Sequence, residues 1–191
     1  MTAPLQTNRR FNARLDYLLA VWLLCSLVPY WILSATNYGA ATAQVKTPMG
    51  TLYTQDHYQA AVLNDTIDYI VRKIPQECTL VVVPEGIGIN ALTQRPNPLR
   101  YYYFTPPGLA IIGEDAIISA FRSARVDYIL LVQRTTAEYG PEVFGIDYGA
   151  KLDKWIKDNY ELAAQFGPYP FTTEKFGTAL FKRKAAGHAL P

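Results

Sequence analysis

The chain has 191 residues, half of them hydrophobic, and a formal net charge of +2, enough for one ordinary domain with a real core plus a further segment. The charge is unevenly placed: Arg9, Arg10 and Arg14 precede an apolar run and meet one acid there, Asp16. Setting these four aside from the 18 basic and 16 acidic residues leaves 15 of each, so the chain from Thr36 onward is formally neutral, which excludes a nucleic-acid binder that works by displacing counterions.

Residues 1–14 read as a cytoplasmic arm. Tyr17 to Ala35 (YLLAVWLLCSLVPYWILSA) carries no charge, and a transmembrane helix is predicted over 15–35, since about 20 helical residues cross the hydrocarbon of a bilayer. Tyr17 at one end and Tyr30 and Trp31 near the other suit the two interfaces, and the arginines ahead of the span place the N-terminus inside. Pro29 predicts a kink in the last turns. The rival is a cleavable signal peptide, for which Ala41-Thr42-Ala43 supplies an A-x-A match. The length of the apolar run and the late Trp and Pro favour a retained anchor. This topology corresponds to a bacterial inner membrane, with the following domain in the periplasm. Cys25 falls in the span and Cys78 beyond it, so they do not pair, and there is no zinc-like spacing.

Residues 36–54 are small and polar and read as a linker leading into the domain, which is expected over 55–184, with a tail at 185–191. Asp56 N-caps a helix to about Ile74, with Val62, Thr66, Tyr69, Ile70 and Ile74 on its inner face. Thr79–Val83 reads as a strand buried on both faces, followed by a short helix near Ile87–Leu92 and a Pro- and Tyr-rich loop, RPNPLRYYYFTPPG. A second helix opens at Gly113-Glu114, with Ala116, Ile117, Ala120, Phe121 and Ala124 inward. A second buried strand covers Asp127–Val132. A third helix turns Leu152, Trp155, Ile156 and Tyr160 inward. Leu162–Phe166 and Phe176–Phe181 alternate like an antiparallel pair. The class is α/β: one N-terminal transmembrane helix, then a small three-layer domain with a mainly parallel sheet.

Little here points to catalysis. Gly86 to Ala91 matches G-x-G-x-x-A after a strand, but Glu85 would set a negative charge beside a phosphate and no acid follows at the expected spacing, so a structural turn is the better reading. His57 and His188 are the two histidines, and the sequence does not supply the further residues that a metal site or a serine relay would need. Glu85, Glu138, Glu142 and Asp147 are scattered through loops. Arg95 and Arg100 read as caps for carbonyls or partners for acids, ahead of an anion clamp. No catalytic residue, metal ligand or cofactor is assigned. Asn64-Asp65-Thr66 is a glycosylation sequon set mid-helix, which discounts it. The unusual feature is Tyr101, Tyr102, Tyr103 and Phe104 between Pro98 and Pro106-Pro107. It reads either as a rigid aromatic contact surface or as an edge packed on its own domain.

The segments VVVPEGIGINALTQRPNPLRYYYFTPPGLAIIGEDAIISAF, VDYILLVQRTTAEYG, FGIDYG and WIKDNY, with VKTPMGTLY upstream, resemble the extracytoplasmic C-terminal domain of multi-pass membrane glycosyltransferase-like proteins of the mannosyltransferase-related kind. The resemblance covers about Val45 to Lys182. It implies the accessory domain and last membrane helix of such an enzyme without its catalytic membrane body, so no catalytic residue carries over. Two functions are expected. One is a non-catalytic single-pass subunit that stabilises a larger membrane-protein complex, as single-span subunits do in photosynthetic and respiratory assemblies. Its contacts with other subunits and with the bilayer would fall to Arg9, Arg10, Arg14, Trp22, Trp31 and Tyr101 to Phe104. The other, implied by the resemblance, is an accessory module for a sugar or polyprenyl-phosphate ligand.

Overall fold

The computed structural model describes residues 9–185, which fall into two units, one ending at Thr42 and the other starting at Ala43. The readings placed on residues 1–8 and on 186–191, His188 included, lie outside the described residues.

The first unit is one long helix, α1 (Arg9–Ala40). Its apolar residues surround the axis instead of forming a stripe, the pattern of a helix that needs an apolar medium on every side. Within Arg14 to Ala40 no residue of its most apolar stretch is buried. That segment has 27 residues, about 40 Å at 1.5 Å per residue, so α1 is long and apolar enough to cross a membrane. Trp22 and Trp31 are exposed along it. Pro29 sits inside the helix and leaves the Cys25 carbonyl without its usual donor. The Ser26 hydroxyl donates a hydrogen bond to the Trp22 carbonyl at 2.9 Å.

The second unit begins where a linker was expected, and that expectation is corrected at both ends. Residues 36–40 continue α1, and β1 (Ala43–Thr47) and β2 (Gly50–Thr54) pair as an antiparallel hairpin around Pro48-Met49. The alternation of Ala43 and Val45, both buried, with exposed Gln44 drives β1 onto its neighbour. That neighbour is α2 (His57–Lys73), N-capped by Asp56, whose carboxylate accepts from Gln59 N at 2.9 Å. Then follow β3 (Leu80–Val83), α3 (Ile87–Thr93), α4 (Pro106–Ile112), α5 (Glu114–Ala124), β4 (Tyr128–Val132), α6 (Ala150–Asn159), β5 (Tyr160–Phe166) and β6 (Thr178–Arg183). Helix α4 starts at the double proline, inside the stretch expected to be loop, because proline fits the first helical positions, where no N–H partner is needed.

The four-stranded sheet has the order β3-β4-β6-β5. β3 and β4 are parallel, but β4–β6 and β5–β6 are antiparallel. The expectation of a mainly parallel sheet is therefore corrected: the sheet is mixed and mostly antiparallel. The helix-strand alternation that calls for parallel pairing stops at α6. From there β5 runs along one edge, and the chain turns back to insert β6 between β5 and β4.

Both faces of this sheet are covered. On one, Val81, Val83, Ile129, Leu131 and Phe181 pack against Leu109, Ile117, Phe121, Leu152, Trp155 and Ile156 of α4, α5 and α6. On the other, Leu80, Val82, Leu130 and Leu180 pack against Ile70 of α2 and Ile89 of α3. Each fully buried branched side chain contributes roughly 1.5–3 kcal/mol of transfer free energy. Helix α2 also buries Ala60 and Ile67 on its outer side, against Ala43 and Val45 of the hairpin. Its expected inner face holds for Val62, Thr66, Ile70 and Ile74, and Ile67 extends the buried surface round to the hairpin.

Asp127 ties three strands together. Its Oδ2 accepts from Thr79 N (3.0 Å) and Thr79 Oγ1 (2.9 Å), Thr79 Oγ1 accepts from Asp127 N (2.8 Å), and Arg183 Nη2 donates to Oδ1 at 2.9 Å. Burial works to raise the Asp127 pKa, but the bonds from Thr79 and Arg183 outweigh it and hold the carboxyl below its usual range. A carboxyl with a depressed folded-state pKa stabilises fully above its unfolded value, about 3.9, and loses that contribution as pH falls through the folded value. Asp127→Asn is expected to cost about 1–3 kcal/mol at pH 7 and to flatten the acid limb of the stability curve. Denaturant unfolding of the full chain in detergent between pH 3 and 7 measures both.

Candidate functional site

In open α/β sheets ligands gather beyond the carboxyl ends of parallel strands, and here that point lies just past β3 and β4. Glu85 follows β3 and Arg134 follows β4. Arg134 Nε meets Glu85 Oε2 at 3.4 Å, and its Nη2 meets a carboxylate oxygen of Glu138. Glu138 is the middle residue of a short 3-10 turn, Ala137–Tyr139, and the Tyr139 hydroxyl lies 2.7 Å from that of Tyr103. Tyr103 itself is bridged to Glu85 through the backbone. Two of the four loop carboxylates thus come together on one arginine. Burial opposes the Arg134 charge, but the Glu85 hydrogen bond and the Glu138 charge raise its pKa, so it stays a fixed cation. Hydrogen bonding to Tyr103 pushes the Tyr139 phenol up. Of the other two carboxylates, Asp147 caps a turn by accepting from Glu142 N (3.2 Å) and Val143 N (3.0 Å), and Glu142 is exposed.

Beside Arg134 opens a cleft of about 700 Å³, lined by Gln133, Arg134, Thr135, Glu142, Phe171 and Phe176 among others. Phe171 has φ +67°, a left-handed conformation that costs a non-glycine residue of order 1–3 kcal/mol. It is held there by the Gln133 side-chain oxygen, which accepts from Phe171 N, and by packing against Phe144 at 5.5 Å between ring centroids. The cleft therefore presents aromatic edges, amide and hydroxyl groups and a salt-bridged arginine. It has the means to bind a polar ligand. Among the described residues there is no cluster of three or more His, Cys, Asp or Glu able to hold a metal.

The tyrosine run divides. Tyr102 is 58% exposed, whereas Phe104 is fully buried and packs at a tilt on Phe121, with 5.7 Å between ring centroids. Tyr101 packs partly against the main core and carries the Arg100 guanidinium over its ring at 4.7 Å. The reading of Phe104 as a partner contact is corrected: it is core. Gly108 makes this possible, since a Cβ there would lie 2.4 Å from the Tyr103 carbonyl oxygen.

Arg95 has the structural role expected of it. It is buried and donates to the carbonyls of Ile70, Ile74 and Thr93, closing the end of α2. Gly86 opens α3 with φ +155°, where a Cβ would lie 2.6 Å from Val82, so close packing accounts for this glycine. Arg9 and Arg10 belong to the start of α1 and Arg14 is exposed; Trp22 and Trp31 share that helix with them, and the tyrosines lie in the second unit. Sequence reasoning missed Arg134, Tyr139 and Phe171. The signal for Arg134 was its place two residues after DYILLV, past the carboxyl end of a buried strand.

Comparison with known protein families, with curated proteins and with solved structures finds no match.

The division of the tyrosine run has a direct measure. Phe104→Ala is expected to destabilise the domain by about 3–5 kcal/mol, and Tyr102→Ser to shift it by less than about 0.5 kcal/mol, in parallel urea titrations.

Proposed function

We propose that the chain is a non-catalytic, single-pass membrane subunit that holds its α/β domain outside the bacterial inner membrane and stabilises a larger membrane-protein assembly of the photosynthetic or respiratory kind. The observation that carries this reading is α1, apolar around its whole circumference with its central stretch unburied. Such a surface needs lipid or the helices of other subunits. Arg9, Arg10 and Arg14 keep the N-terminus in the cytoplasm and reach acidic surfaces there. The face with Trp22 and Pro29 packs on neighbouring helices, Trp31 sits toward the outer interface, and Tyr102 supplies an aromatic contact outside.

This topology puts Cys25 in the bilayer and Cys78 outside. Burial, then the charges of Asp127 and Glu77, push the Cys78 thiol up, so it reacts slowly while folded. A membrane-impermeant thiol reagent is expected to label Cys78 in right-side-out vesicles after denaturant is added and to leave Cys25 unlabelled. Labelling of Cys78 only in inverted vesicles would reverse the orientation.

The assembly role is tested by purifying the native protein in mild detergent and identifying the proteins that co-migrate with it. Deleting the gene should lower the thermal stability of that assembly and leave its other subunits expressed. Recovery of the chain alone in every mild detergent sinks the reading.

A second reading, an accessory module for a sugar or polyprenyl-phosphate ligand beside a glycosyltransferase, is favoured by the cleft. Phe171 and Phe176 offer stacking surfaces, and Gln133, Thr135 and Glu142 offer hydrogen bonds. Saturation-transfer NMR on the detergent-solubilised chain with mannosides, compared with Phe171→Ala, separates it from the first reading.

A further inference from the structure

Among the described residues the domain has four outer strand edges, those of β1, β2, β3 and β5, and three of them are protected. An unpaired edge is a template for another chain, and proteins cover, charge or kink it. The outer edge of β3 is taken up at Leu80, whose N–H donates to Pro96 O at 3.0 Å and whose carbonyl accepts from Asn90 Nδ2 at 2.7 Å. The outer edge of β5 carries Glu161 and is broken by an irregularity between Leu162 and Ala164. The outer edge of β1 is blocked by a side chain: Lys46 N donates to Asn64 Oδ1 at 2.7 Å, and Asn64 Nδ2 donates to the Gln44 carbonyl at 2.8 Å. The Asn64 carboxamide thus occupies the place of a neighbouring strand.

β2 has none of these devices. Its sequence, GTLYT, has no charge and no proline, and its pairing with β1 is regular from end to end. The bonds to Asn64 show that Gln44 and Lys46 aim their backbone groups away from β2. Their register partners, Tyr53 and Thr51, must then aim theirs away from β1, since the two residues of a non-hydrogen-bonded antiparallel pair point in opposite directions. Among the described residues nothing meets those groups. Leu52 between them is 49% exposed and Tyr53 60% exposed.

We propose that β2 is a homodimerisation edge, paired antiparallel with β2 of a second copy of this chain about a two-fold axis at Leu52. The register follows from the geometry. With Leu52 opposite its own counterpart, Thr51 faces Tyr53 of the second copy and Tyr53 faces its Thr51. Both pairs exchange N–H···O=C bonds, because these are the residues whose backbone groups point outward. An uncharged strand can meet itself without like-charge repulsion, which selects a second copy over a charged peptide. The two hairpins become one four-stranded sheet. Val45 and Leu52, register partners on the face that β1 turns toward α2, then join their counterparts in a continuous apolar strip. The contact is isologous and closes on itself, so it ends at a dimer.

The test uses the full chain in detergent. Sedimentation is expected to show a dimer. In a background with Cys25→Ser and Cys78→Ser, Leu52→Cys should form an intermolecular disulfide on mild oxidation, since residues in a non-hydrogen-bonded pair lie about 4.5 Å apart at Cα, within disulfide reach. Gln44→Cys on the far strand should not. Leu52→Lys and Leu52→Glu should each weaken the dimer at least tenfold, and mixing the two should restore it. Circular dichroism of each variant confirms that the fold is kept, as half-exposure of Leu52 allows. A monomer at every concentration tested overturns the proposal. So does a dimer that neither Leu52→Lys nor Leu52→Glu weakens, because that dimer is held by another surface such as α1.

Discussion

The domain is organised around β4, a strand with no free side. Its residues from Ile129 to Val132 are buried, its two edges are hydrogen-bonded to β3 and β6, and its first turn is anchored by the network that joins Asp127 to Thr79 and Arg183. Because side chains alternate along a strand, a slip of one residue would send every apolar side chain of one face to the other. The Asp127 network sits where such a slip would begin. With β4 fixed, α5 and α6 have one face to cover and α2 and α3 the other, and the ends of the sheet become fixed points in space. Arg134 is placed by this frame. It follows the end of a strand hydrogen-bonded on both edges, and two carboxylates from different loops, Glu85 and Glu138, meet on it.

Much of the fold was legible in the sequence, and what was not has physical causes. The buried strands Leu80–Val83 and Tyr128–Val132 stood out as unbroken apolar runs, and α2, α5 and α6 as amphipathic periods, the first ended by Pro75 and the other two opened by Gly113 and Gly149. The hairpin was hidden because AQVKT and GTLYT are short and partly polar. Their apolar partners, Ala60 and Ile67, lie on the side of α2 that periodicity assigns to solvent once the sheet has claimed the other. Helix α4 was hidden behind its prolines. The antiparallel pairing of β5 with β6 was legible, but the place of β6 in the sheet was not written locally. Phe176 to Phe181 reads as a strand, but only the return of the chain through residues 167–177 decides that β6 enters between β4 and β5.

The site was less legible than the fold. Composition drew attention to the tyrosine run, yet burial divides those four neighbours between core and surface: Phe104 is as deep as any residue in the domain, while Tyr102 faces out. The groups that form the cleft are ordinary in sequence. Gln133, Arg134 and Phe171 acquire meaning through position, with Phe171 forced into an unusual backbone conformation by contacts from residues far along the chain. Sequence motifs report local chemistry well, but they report poorly on a cleft whose walls come from separate loops.

The carboxamide of Asn64 has one further consequence, for how the protein ages. Asparagine loses its amide nitrogen when the next backbone nitrogen attacks the side chain, and that attack needs a backbone free to bend. Asn64 sits within α2, where the Asp65 N–H is held in the helical ladder and the reaction is slowed. If it occurred, the new carboxylate would face the Gln44 carbonyl with no proton to offer, and the lock on β1 would become a repulsion. The helix that presents Asn64 to the strand thus also preserves it chemically, and the lifetime of the hairpin edge is tied to the persistence of one turn of α2.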